Sequence, residues 1–159
     1  MTIRQYNESD REILMDITIR CFDGASSIDN NIERLFGYID GKDWAWRKKR
    51  TIHEDIAKNS IGIFVAEDKS SLIGYVTTQI DHEAKIGSIP NLAVLPEHRK
   101  VGIGRALIDA AIGYLQEQGL KLVRIETLDT NSVGKHFYTS YGFKEVAKQI
   151  HYALLLDST

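Results

Sequence analysis

Three groups of residues in this sequence have the types and spacing for chemistry. The first is Arg99-Lys100-Val101-Gly102-Ile103-Gly104-Arg105, which follows Leu92-Ala93-Val94-Leu95-Pro96 and opens an amphipathic run. A helix starting there leaves its first backbone N–H groups unpaired, with a positive partial charge. Glycines let such a backbone curl and approach a ligand closely. With the charge of Arg99, Lys100 and Arg105, the segment can hold a pyrophosphate on main-chain donors. The bland alternative is a Gly-containing turn before a helix. The second group is Gly134, Tyr138 and Tyr141, spaced to share one helix face, with Asn131 placed to cap that helix. The third is Glu126, five residues before Asn131 and twelve before Tyr138. It reads either as a base or as a solvated glutamate paired with Arg124 or Lys121.

Two other phosphate loops are excluded. No Gly, four residues, then Gly-Lys-Ser/Thr occurs. The dinucleotide fingerprint needs a third glycine where Leu107 stands.

These residues need elements to hold them. Thr2 to Tyr6 reads as a first strand. A helix capped by Asn7, Ser9 or Asp10 runs to about Phe22, with Ile13, Leu14, Ile17 and Cys21 on one face. Asp23 to Asn31 reads as a loop, and Asn31 to about Ala57 as one or two helices. Gly62 to Glu67, Leu72 to Asp81 and Ile86 to Leu95 form a meander with turns at Asp68 to Ser71 and His82 to Lys85. Pro90 removes a ladder donor, so the third of these strands should bulge or part from its neighbour there. Gly104 to Gln118 is a helix ended by Gly119, and Leu120 to Leu128 a strand. Ser132 to Tyr141 is a helix stopped by Gly142, and Phe143 to Ala147 with Ile150 to Leu156 a closing antiparallel pair. The class is α+β, with helices on the faces of a mixed sheet.

Arg-x-x-Gly-x-Gly between a strand and a helix resembles the acyl-CoA loop of the GCN5-related N-acetyltransferases. Asn131 to Phe143 is similar to that family's Asn-x-x-Ala-x-x-Leu-Tyr-x-x-x-Gly-Phe, with Gly134 and Phe137 as departures. The resemblance covers most of the chain and is most specific from Leu92 to Phe143. It implies a mostly antiparallel sheet splayed at its fourth strand, with helices on both faces. It implies acetyl-CoA as cosubstrate, its pyrophosphate on the amides from Lys100 to Arg105 and its pantetheine arm paired along Leu92, Ala93 and Val94. It also implies that Tyr138 protonates the leaving thiolate, since a phenol of pKa about 10 is protonated at neutral pH. For Asn131, the cap of the helix, it implies a contact with the cofactor amide as well, and a bare Gly134 is expected to leave room for a ligand below Tyr138. The Glu126/Asn131/Tyr138 spacing is similar to ribosomal-protein N-terminal acetyltransferases, which implies Glu126 as base for the amine. The rival readings are a non-catalytic acyl-CoA sensor of the same fold and an interaction module.

The 159 residues suit one domain over residues 1–159, 43% hydrophobic and 26% charged. A net charge of -2 excludes a global basic field for nucleic acid or an acidic membrane. Cys21 is the only cysteine, an inert thiol in an apolar stretch, and the five histidines show no metal spacing. No signal core or spanning apolar run occurs, so the expected compartment is the cytoplasm. Trp44 to Arg50 is aromatic and basic: an acceptor wall, a patch for an acidic partner, or a solvated helix face over a core Trp. The acceptor, a small-molecule or protein amine, has no diagnostic motif. Homodimers are common for the implied fold, and the sequence does not fix the oligomeric state.

Overall fold

In a computed structural model, residues 1–24 and 27–156 are described. The chain divides into two compact units, one of Met1–Phe22 with Lys48–Glu126, the other of Asp23–Arg47 with the chain from Thr127 onward.

The first unit holds the sheet. Strands β1 (Thr2–Gln5), β2 (Phe64–Asp68), β3 (Ser71–Val76) and β6 (Leu92–Val94) pair antiparallel in the order β1-β2-β3-β6. Strands β4 (Gln79–Asp81), β5 (Ile86–Ile89) and β7 (Leu122–Ile125) form a second group, with β5 antiparallel to β4 and parallel to β7. The β2–β3 turn places Lys69 and Ser70 both at positive φ, the twist a two-residue hairpin requires. Pro90 does interrupt its strand, between β5 and β6. The strand opposite is also interrupted, at Thr77–Thr78 between β3 and β4.

Asn7 caps the turn before helix α1 (Arg11–Phe22), and the Asp10 carboxylate accepts from its backbone N–H at 2.9 Å. Helix α1 buries Leu14, Met15, Ile17 and Thr18. Ile13, expected on that face, is exposed, because the buried stripe turns toward Met15 and Thr18. Helix α3 (Trp44–Asn59) buries Ile52, Asp55 and Ile56, and α4 (Ile103–Glu117) buries Leu107, Ile108, Ala111 and Leu115. The core joins α1 and α3 to Val65, Leu72, Tyr75 and Ala93 of the sheet. Within it, Tyr75 Oη and Thr18 Oγ1 lie 2.6 Å apart, so the one buried phenol of β3 is satisfied.

In the second unit, α2 (Ile28–Phe36) starts earlier than the loop expected to Asn31, capped by Ser27. Residues 25 and 26 of that expected loop lie outside the described residues. Helix α5 (Ser132–Tyr141) ends in a Schellman-like turn, in which Gly142 at φ 125° lets the Phe143 N–H reach the Tyr138 carbonyl at 3.0 Å. The closing strand pair is not formed. Residues 143–156 carry no strand, and Val146, Ile150, Tyr152, Leu154 and Leu156 are exposed. Alternating apolar residues make a strand only where a partner supplies the ladder. Among the described residues, no helix is long and apolar enough to cross a membrane.

Candidate active site

The edge of β6 is the first element of the site. The Leu95 N–H donates to the Ile73 carbonyl, and the Thr77 N–H to the Asn91 carbonyl, both at 2.9 Å. Tyr75 faces Ala93 in the same register. Antiparallel pairs alternate, so Asn91, Ala93 and Leu95 turn their peptide groups toward β3, while Leu92 and Val94 turn theirs away. Among the described residues no strand pairs with that outer edge. The parallel pairing of β5 with β7 stops at Ile89 opposite Ile125, and beyond it the sheet forks. Of the three residues expected to pair with a ligand, Leu92 and Val94 offer outward amides, whereas the Ala93 peptide groups are directed to Tyr75.

The outward carbonyl of Val94 is already engaged. It accepts from Arg99 Nε at 2.8 Å and from Cys21 Sγ at 3.4 Å. Arg99 therefore braces the strand end. Cys21, read from sequence as inert, lies on the same edge, and burial pushes its thiol up.

The loop after β6 makes one turn at Pro96–His98, then places Lys100 at φ 66° and Gly102 at φ 90°. Gly102 caps α4 without a side-chain bond, and the Ala106 N–H is the first to find its partner, the Gly102 carbonyl at 3.0 Å. The helical pattern leaves the amides of Ile103 and Gly104 without intrahelical acceptors. Left-handed Gly102 before these amides gives the concave row of N–H groups that suits a phosphate. Val101 is exposed between them.

Glu126 directly follows β7, at the level where Pro90 leaves β5. Its side chain is exposed and lies 3.6 Å from Arg124. The ion pair foreseen as the bland alternative is thus present, and a pair so exposed holds its carboxylate only weakly.

In the second unit, Asn131 Oδ1 caps α5 by accepting from the Gly134 N–H, and its Nδ2 donates to Thr127 Oγ1, each at 3.0 Å. The room expected beside Gly134 is filled. A Cβ there would stand 2.6 Å from Asn131 Nδ2, so the glycine admits the capping amide and not a ligand. Tyr138 packs edge-on against Phe137 at 5.3 Å and Phe143 at 5.9 Å between ring centroids. Burial pushes its phenol up to about 12, and its hydroxyl has no hydrogen-bond partner among the described residues.

The basic patch is largely committed. Arg47 pairs with Asp29 at 3.4 Å, Arg50 with Glu54 at 3.8 Å, and Lys48 Nζ donates to Asn91 Oδ1 at 2.7 Å. Trp46 is exposed beneath Lys42. No cluster of His, Cys, Asp or Glu suited to a metal occurs among the described residues.

A forked sheet, an open main-chain edge and a left-handed glycine at a helix start follow one another along the chain. The chain belongs to the acetyltransferase (GNAT) family, whose model matches residues 16–143. An uncharacterized N-acetyltransferase of Chlorobaculum tepidum is 35% identical over 101 residues, 64% of this chain and 61% of that protein. An N-alpha-acetyltransferase of Sulfurisphaera tokodaii is 30% identical over 110 residues, 62% of this chain and 66% of that protein. The chain thus spans 61% and 66% of these two relatives' own lengths. The PaiA N-acetyltransferase of Thermoplasma acidophilum, solved with coenzyme A, shares the fold at a TM-score of 0.70 and 23% identity, over 90% of this chain and 89% of that one.

Proposed function

We propose that this protein is an acetyl-CoA-dependent N-acetyltransferase that works as one domain over residues 1–159. The observation that carries this reading is the outer edge of β6, where the amides of Leu92 and Val94 lie open a few residues before an anion-binding helix start. A pantetheine arm contains two amides and pairs with such an edge as an added strand does. The amides from Lys100 to Arg105 receive the pyrophosphate, and Lys100 and Arg105 add charge.

The acceptor is a primary amine, of a small molecule or a protein, and the reaction runs in a ternary complex. The amine nitrogen attacks the thioester carbonyl carbon while an outward amide of β6 polarises its oxygen. The carbon–sulfur bond breaks, and the sulfur leaves with the electron pair and takes a proton from Tyr138. The amine's proton passes to Glu126 through water. Tyr138 suits the acid role because burial keeps its phenol protonated. Glu126 suits the base role because it stands at the fork and stays open to solvent. Asn131 acts through the helix start it caps. The compartment we infer is the cytoplasm.

A thiol-release assay with acetyl-CoA over a mixed panel of small amines and peptide N-termini tests this reading. Saturable release with at least one amine is expected. Acetyl-CoA binding with no release across the panel would make the protein a non-catalytic acyl-CoA binder.

A further inference from the structure

One buried carboxylate ties together the two strand interruptions at the fork. Asp55 of α3 is 3% exposed. Its Oδ2 accepts from Thr77 Oγ1 at 2.8 Å and from Asn91 Nδ2 at 2.7 Å, and its Oδ1 accepts from Gln79 Nε2 at 3.0 Å. Thr77 lies in the break between β3 and β4, and Asn91 in the break between β5 and β6. These two residues also bond each other. The Asn91 N–H takes Thr77 Oγ1 at 3.1 Å, and the Thr77 N–H takes the Asn91 carbonyl at 2.9 Å. Lys48, two helical turns before Asp55 on the same face of α3, donates to Asn91 Oδ1 at 2.7 Å. Its Nζ also stands 4.1 Å from the Phe22 ring centre.

Burying a carboxylate and a row of side-chain amides here costs more than burying apolar residues of the same volume. What the polar residues supply is direction. Ladder bonding alone would let Asn91 pair with a carbonyl and carry the strand on beside β7. The network instead gives its N–H a side-chain oxygen and holds its amide between Asp55 and Lys48. Asn91 immediately precedes Leu92, so its orientation sets where the next two outward amides point.

We propose that Asp55 is a positioning residue for the cosubstrate. Through Asn91 and Thr77 it fixes the place where β6 leaves the sheet, and so aims the Leu92 and Val94 amides at the acyl-pantetheine arm. Asp55 touches no substrate. The inference rests on the reading of the β6 edge given under the proposed function.

The test divides the cosubstrate into its two ends, using the full chain. Acetyl-CoA and adenosine 3′-phosphate 5′-diphosphate, its nucleotide end without the arm, are titrated calorimetrically into unsubstituted protein and variants. Asp55→Asn replaces one acceptor oxygen by an amide donor, which must then face either Gln79 or the pair Thr77 and Asn91. It is expected to weaken acetyl-CoA by about tenfold, the equivalent of about one hydrogen bond, and to leave the nucleotide end within about twofold. Thr77→Val, which keeps the volume and the carboxylate, is expected to show the same split and decides the matter if Asp55→Asn does not fold. The exchange Asp55→Asn with Asn91→Asp restores a carboxylate beside Lys48 and is expected to recover most of the affinity. Equal weakening of both ligands, or unchanged acetyl-CoA affinity in a folded variant, overturns the inference. Failure of the unsubstituted protein to bind acetyl-CoA overturns the reading of the edge itself, and this inference with it.

Discussion

Arg99 Nε donates to the main-chain carbonyl of Val94 at 2.8 Å. The loop's first cation is thereby turned back onto the strand that precedes it. The bond occupies the outward carbonyl of Val94 and leaves the neighbouring outward N–H groups to a ligand. Arg99→Ala removes this brace and strands a half-buried carbonyl with only the weak donor of Cys21. A bond from a charged donor contributes about 1.5–3 kcal/mol. Acetyl-CoA affinity is therefore expected to fall by about tenfold or more. Arg99→Lys should not restore it, because a lone ammonium at the end of a flexible stem cannot reproduce the fixed Nε direction. Calorimetric affinities equal to the unsubstituted protein's would show that the brace is dispensable.

Tyr138→Phe keeps the ring contacts with Phe137 and Phe143 and removes only the hydroxyl. Acetyl-CoA binding should be unchanged and kcat should fall by about a hundredfold, the lower range for a lost general acid. Normal turnover by this variant removes Tyr138 from the chemistry.

The pH profile follows from the same residue. Burial raises the phenol to about 12, so its acid form persists well past the ordinary value. The rate should climb as a lysine-like amine loses its proton near pH 10.4 (the reference value, about). No alkaline fall due to Tyr138 should appear below about pH 11. A descending limb near pH 9 that disappears in Tyr138→Phe would contradict this assignment.

Glu126→Gln removes the proposed proton acceptor and leaves an exposed side chain of equal size. Stability should change by under about 0.5 kcal/mol, as for other surface changes. At neutral pH, kcat/KM for the amine should drop by about tenfold to a hundredfold, and the deficit should shrink as pH rises and the amine deprotonates unaided. A rate equal to the unsubstituted protein's at every pH would leave solvent as the only base.

Asp10 carries a stability prediction. Both its oxygens accept from Arg4, each at 2.9 Å, and the buried carboxyl is held below its ordinary range by that bonding. A depressed pKa stabilises the fold at pH values above the ordinary one, about 3.9, and the benefit is lost as pH falls through the depressed value. Asp10→Asn should cost about 2 kcal/mol at pH 7, below the full value for a buried pair because Arg4 is partly solvated. That corresponds to a Tm lower by about 4–8 °C in scanning calorimetry. Below about pH 4 the gap between the two proteins should close. A gap that persists at pH 2 would place the effect elsewhere.

The loop from Arg99 to Gly104, helix α4 and the break at Pro90 were legible because each rests on local chemistry. A proline lacks an N–H wherever it sits, and a glycine adopts positive φ at little cost. The parity of β6 was not legible. Leu92, Ala93 and Val94 are alike as letters, and only pairing with β3 decides which peptide groups face outward. Gly134 misled for a related reason. Space beside a glycine is visible in a sequence, but its occupant, here the Asn131 amide, is not. The network around Asp55 left only a faint trace, the polar Thr77-Thr78 and Asn91 inside β-rich runs. The strands expected between Phe143 and Leu156 fail because their pattern carries no information about a partner.

The outer edge of β6 presents peptide groups, which every residue but proline possesses. Under the proposed function, the acyl carrier is therefore read by a surface that has no spelling. Leu92 and Val94 can drift among apolar residues without erasing the contact, whereas proline at either position deletes it outright. Among apolar residues and proline, mutational tolerance at this edge is thus nearly binary, and a scan of those substitutions at these two positions would record one deep hole in an otherwise shallow profile.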